Sequence, residues 1–200
     1  MNQKLKLAIV FIATYALSTQ ANAHLGTEIS VHAGFFSGFT HPLQGLDHLA
    51  AMVAVGLWSA LSARRAGPEL LWGPLGFANM LLLGAMLGVE GLAPPAVEPM
   101  IAVSLLVLGL LVISRLRLPA GGAAALVGGF ALFHGVAHGL ELSNSAHAFE
   151  VLAGLLCATL LLHASGLGLG WALRRSPLWL PRAVGAAVAL LGGALLLQLA

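Results

Sequence analysis

Two short stretches concentrate half of the chain's eight histidines: His41-Pro42-Leu43-Gln44-Gly45-Leu46-Asp47-His48 and His134-Gly135-Val136-Ala137-His138-Gly139-Leu140-Glu141. Imidazole nitrogen with carboxylate oxygen close by is a donor set for a divalent transition metal, whereas Mg²⁺ and Ca²⁺ prefer all-oxygen sites. Both stretches lie in apolar surroundings. Placing an aspartate at the centre of a bilayer costs about 2.5–3.5 kcal/mol on insertion scales, so such residues are kept for function. The candidate metal ligands are therefore His41, Asp47, His48, His134, His138 and Glu141.

Helical spacing adds further groups. Read as one helix at about 100° per residue, His41, Gln44, Asp47, His48 and Met52 share a face, with Pro42 in the first turn, where its missing N–H does no harm. His134, His138 and Glu141 form a narrow stripe, and Asn79, Met86 and Glu90 a third, which puts Glu90 at a mouth. Gly121, Gly128, Gly135 and Gly139 line up beside the histidine stripe and read as a packing face. Gln44, Met52, Asn79 and Glu90 are thus candidate ligands or supporting groups. His163 has apolar neighbours and reads as a hydrogen-bond bridge between helices. His147 and Glu150 read equally as a solvated helix start or as site residues.

The elements that must position these groups belong to a membrane protein. The chain has 200 residues, of which 59% are hydrophobic and 8% charged; soluble domains carry about 25% charged residues. Residues 1–23 read as a signal peptide: Lys4 and Lys6, an apolar centre from Leu7 to Leu17, then Ala21-Asn22-Ala23 as a small-residue cleavage site. Cleavage would expose the α-amino group of His24 beside its own imidazole, a nitrogen chelate and a further candidate. His32 falls in a less apolar segment, 28–39, that suits a surface or vestibule helix. The domain expected is 24–200, all-α, a bundle of six transmembrane helices near 41–62, 70–90, 97–114, 121–141, 147–171 and 181–199.

Arg64 and Arg65, Arg115 and Arg117, and Arg174, Arg175 and Arg182 occupy alternate loops. The positive-inside rule puts those loops in the cytoplasm and both mature termini in the periplasm of an inner membrane. Three spans per half is the arithmetic of a 3+3 inverted repeat, with the histidine motifs in corresponding spans one and four. The scattered basic residues make no nucleic-acid surface, Cys157 alone makes no disulfide framework, and no phosphate-binding loop is present. The partners expected are a metal ion and the lipid bilayer, and a homo-oligomer is compatible with so small a bundle.

The motifs His41-Pro42-x-x-Gly45-x-Asp47-His48-x-x-Ala51-Met52 and His134-Gly135-x-Ala137-His138-Gly139-x-Glu141 resemble those of the HupE/UreJ family, small bacterial membrane proteins associated with hydrogenase and urease maturation. The resemblance covers essentially the whole mature chain. It implies a nickel or cobalt permease with Ni²⁺ or Co²⁺ as cargo and no permanent cofactor, indirectly serving such maturation, with metal-binding roles at the six residues named first. Two rivals use the same residue types. An intramembrane zinc hydrolase lacks an H-E-x-x-H arrangement. A metal sensor or accessory subunit would bind without flux. No enzyme activity is expected.

Overall fold

In hydrocarbon no water is available to backbone amides, so each spanning segment must satisfy its own hydrogen bonds, as a helix does. The computed structural model describes residues 34–143 and 145–199; the expected signal peptide, His24 and His32 lie outside them. Among the described residues the fold is all-helical: α1 (Phe35–Gln44), α2 (Leu46–Ser62), a 3₁₀ turn (Pro68–Leu70), α3 (Trp72–Val89), α4 (Val97–Ser114), α5 (Ala120–Glu141), α6 (Ala148–Leu173) and α7 (Trp179–Leu199). The last five helices are each long and apolar enough to cross a membrane, and their bounds lie within about two residues of the expected spans. The chain is a multi-pass membrane protein.

The first span departs from expectation. It is not one helix over 41–62 but two, α1 and α2, bent by 87°. Pro42 stands in the last turn of α1 rather than opening a longer helix, and it cannot donate to the preceding turn. Gly45 is extended, with φ −95° and ψ 117°, and closes α1 as it opens α2. Asp47 in the first turn of α2 favours that new N-terminus. The single face expected to carry His41, Gln44, Asp47, His48 and Met52 therefore does not exist as one helical stripe.

Three seams hold the bundle: α3 on α5, α2 on α6, and α4 on α7. Each is built on glycine. Gly84 backs onto the Leu132 carbonyl and Gly135 onto that of Leu81; Gly56 backs onto His163 and Gly166 onto Val53; Gly109 lies on Gly185 and Ala189. Where lipid supplies no hydrophobic drive between helices, backbone approach at small residues supplies the attraction. The packing role expected for Gly128, Gly135 and Gly139 is met, but Gly121 has nothing near it. The register makes the first two seams parallel and the third antiparallel. α2 is the central rod, with every residue from Ala54 to Leu61 buried. α1 crosses α6 where Gly38 meets Val151 and Gly154 meets Phe35.

Candidate metal site

The chain turns by 87° between α1 and α2, and the end of α1 meets the end of α5. His41 arrives from α1, Asp47 and His48 from the first turn of α2, and His134, His138 and Glu141 from the last turns of α5. The ring centroids of His41 and His138 are 4.8 Å apart, those of His138 and His48 4.6 Å, and those of His48 and His134 5.2 Å. These distances match shared coordination. With metal–nitrogen bonds of about 2.0–2.1 Å, a ligating ring's centre lies ~3.2 Å from the ion, so two rings at 90–109° would stand about 4.5–5.2 Å apart. His41 and His48, at 6.3 Å, fall outside that range. The four imidazoles thus form a ladder rather than a single cage.

The ladder has an exposed end at His41 and a buried end at His134, with His48 more open than His138 between them. The side chains of His41 and Glu141 are 43% and 51% exposed and 3.6 Å apart. His138, 3% exposed, has Nδ1 3.8 Å from the same Glu141 oxygen. Donor atoms of His41, His138 and Glu141 lie within 4.8 Å of one another, close enough to hold an ion at the open end. His48 is 14% exposed on its side chain, and His134 is fully buried.

Hydrogen bonding decides which ring nitrogens are free. His48 Nδ1 is 2.9 Å from Asp47 Oδ1. A carboxylate only accepts, so Nδ1 carries the proton and Nε2 keeps its lone pair. Ser104 Oγ, on α4, is 2.6 Å from the Ile101 carbonyl and 2.9 Å from His134 Nε2. Its single proton goes to the carbonyl, so the hydroxyl accepts from Nε2–H, and His134 Nδ1 is left bare. His48 Nε2, His134 Nδ1 and His138 Nε2 are all buried and without a partner among the described residues. A buried polar nitrogen without a partner costs about 1–3 kcal/mol; such nitrogens on neighbouring rings suit a cation passed from one ring to the next.

The remaining expectations divide. Met52 is fully buried in the core, one turn beyond His48. Gln44 is exposed at the end of α1. The stripe of Asn79, Met86 and Glu90 faces outward instead of joining the histidines. The glycines of α3 set that rotation by facing α5, and Asn79 satisfies its amide on its own Leu75 carbonyl at 2.8 Å. His147 pairs with Glu150 at 3.4 Å on the surface, apart from the ladder. His163 bridges nothing: it is buried, and neither ring nitrogen has a partner among the described residues. Its ring meets Phe77 at 5.2 Å, and Phe77 meets His134 at 5.7 Å. Spacing gave no signal for Phe77. Ser104 was legible only as a lone hydroxyl in an apolar helix, not as the group that orients His134.

A family model described as HupE / UreJ protein matches residues 12–195. The chain is also similar to Protein HupE of Rhizobium leguminosarum bv. viciae, 43% identical over 189 residues that cover 92% of this chain and 94% of that protein. No solved structure matches.

Proposed function

The chain belongs to the HupE/UreJ family, and from that premise we propose that it is a secondary transporter carrying a divalent transition-metal ion, Ni²⁺ or Co²⁺, across the inner membrane into the cytoplasm, where it supplies metalloenzyme maturation. The observation that carries this reading is the ladder of four imidazoles, with an exposed end at His41 and a buried end at His134, three of which carry a buried nitrogen without a partner among the described residues. Glu141 and His41 draw a hydrated dication to the open end. His138 replaces water ligands, and His48 and His134 take the ion deeper. Neighbouring rungs are close enough to share an ion, so the ion is never stripped of all ligands at once. Beyond His134, a shift of the Phe77 ring opens the way to His163, the next nitrogen donor.

Direction follows from charge. The arginine loops gather at one end: Arg117 Nε donates to the Ser62 carbonyl, and Arg174 Nη2 to that of Ala63. His48 in the first turn of α2 and Ser62 at its end are about 20 Å apart at 1.5 Å per residue, so the ladder sits toward the opposite end. The positive-inside rule makes the arginine end cytoplasmic and the ladder periplasmic. A dication then gains about 4.6 kcal/mol per 100 mV of inside-negative potential, twice the single-charge value, which at ~1.4 kcal/mol per decade supports roughly 10³-fold accumulation without ATP. The seams support the 3+3 inverted repeat. Exchanging span one with four, two with five and three with six turns the α3–α5 seam into α2–α6 and returns α4–α7 to itself.

The test is radiolabelled Ni²⁺ uptake into proteoliposomes under an imposed inside-negative potential. Wild type accumulates the ion, and His48→Ala abolishes uptake. Equal flux in the two would refute the assigned ladder. Binding without flux in the wild type would favour an accessory or sensing role.

A further inference from the structure

At the arginine end an open cavity of about 630 Å³ is lined by Leu61, Ser114, Arg115, Leu116, Arg117 and Arg174. Three guanidinium groups from two loops surround one space, and among the described residues no arginine pairs with a carboxylate. The nearby acid, Glu69, is engaged by the backbone N–H groups of Arg64 and Arg65. Part of each of two guanidiniums is fixed. Arg117 Nε donates to Ser62 O at 2.7 Å, and Arg174 Nη2 donates to Ala63 O at 2.7 Å while its guanidinium carbon lies 4.5 Å from the centre of the Trp171 ring. Other donors are left over: Arg115 Nη2 and Arg174 Nη1 are buried and have no partner among the described residues.

Positive-inside topology explains why arginines are at this end, but not why terminal nitrogens are withdrawn from water with nothing to donate to. An unsatisfied charged donor is costly, and a phosphate accepts from guanidinium forks in bidentate fashion. The setting selects the source of that phosphate. Leu61 and Leu116 give the cavity an apolar lining, and Trp171 and Trp179, each about half exposed, flank the α6–α7 turn as interfacial aromatics do. Basic pockets at the cytoplasmic ends of transmembrane helices suit anionic headgroups. We propose that this cavity binds the phosphate of an anionic phospholipid in the cytoplasmic leaflet, with Arg115 and Arg174 as the principal donors.

The test uses the full-length protein in detergent, with phosphatidylglycerol, phosphatidylcholine or inorganic phosphate added at equal phosphorus. Binding is read by native mass spectrometry and by the thermal unfolding midpoint. Phosphatidylglycerol is expected to bind and raise the midpoint above that in phosphatidylcholine. Arg115→Gln, whose side chain makes no internal hydrogen bond among the described residues, should weaken phosphatidylglycerol about tenfold or more, the ~1.4 kcal/mol or more of a charge-assisted hydrogen bond. Arg115→Lys should recover only part, because it keeps the charge but loses the fork. Arg175→Gln, outside the cavity, should match wild type; monodispersity and helical circular dichroism check that each variant is folded. Equal midpoints in the two lipids, or equal loss in Arg115→Gln and Arg175→Gln, overturns the site. Inorganic phosphate that protects as well as phosphatidylglycerol overturns the lipid as its occupant.

Discussion

Two rungs of the ladder depend on a small group that holds one ring nitrogen so that the other stays free. Asp47 does this for His48, and Ser104 does it for His134. Partners of this kind commonly contribute 10–100-fold to metal affinity. Ser104→Ala removes the acceptor for His134 Nε2–H and leaves the ring free to turn or change tautomer. Ni²⁺ affinity measured by equilibrium binding should fall by about 10–100-fold while the helical content is unchanged; an unaltered affinity would show that His134 is not oriented through this hydroxyl. The six candidate ligands were readable because ionisable residues are rare and expensive in apolar segments. Ser104 was not, because a serine in a membrane helix can satisfy itself on its own backbone, and only coordinates reveal the imidazole on its other side.

The decisive element is the break between α1 and α2. Sequence spacing grouped His41 with His48 on a continuous helix; the chain instead turns by 87° between α1 and α2 and sets His41 nearer to His138 than to His48. Gly45 permits this without strain in φ, and its missing side chain matters in a second way. A Cβ there would lie 2.9 Å from Asp47 Oδ1 and 3.2 Å from His48 Nδ1. Its backbone angles are ordinary for alanine, so Gly45→Ala should leave stability to thermal unfolding near or slightly above wild type, by up to ~1 kcal/mol. The displaced Asp47 carboxylate should cost Ni²⁺ affinity about tenfold, or ~1.4 kcal/mol. A variant that loses stability and keeps affinity would contradict this account of the bend. The outward rotation of Asn79 and Glu90 has the same lesson. A polar stripe on a wheel states which residues lie together, and the glycine face of α3 decides which way they point.

At the scale of the molecule, seams of backbone approach hold the ladder's helices in register. Stability should therefore be sensitive at seam glycines and indifferent elsewhere. Gly135→Ala would drive a Cβ into the Leu81 carbonyl and within 2.8 Å of Ala85 N, both backbone atoms with no freedom to retreat. It should destabilise the folded protein by about 1–3 kcal/mol in thermal or denaturant unfolding in detergent. Gly121→Ala meets nothing within 4 Å and should be neutral or stabilising by up to ~1 kcal/mol through helix propensity. Equal effects at the two positions would mean that the α3–α5 seam does not bear on stability.

The amino-acid sequence by itself determined that the chain is a multi-pass helical protein, where five of its spans begin and end, and which residues are candidates for metal chemistry. Hydrophobicity, helix length and the cost of buried charge are local properties that a linear string records. The tertiary structure alone decided that the first span is broken, that His41 lies closer to His138 than to His48, and that Ser104 and Phe77 meet His134. The Ser104–His134 contact already joins residues 30 positions apart, and the Phe77–His134 and His41–His138 contacts reach further still along the chain. Such pairs are set by glycine-lined approaches between helices, which no single helix encodes.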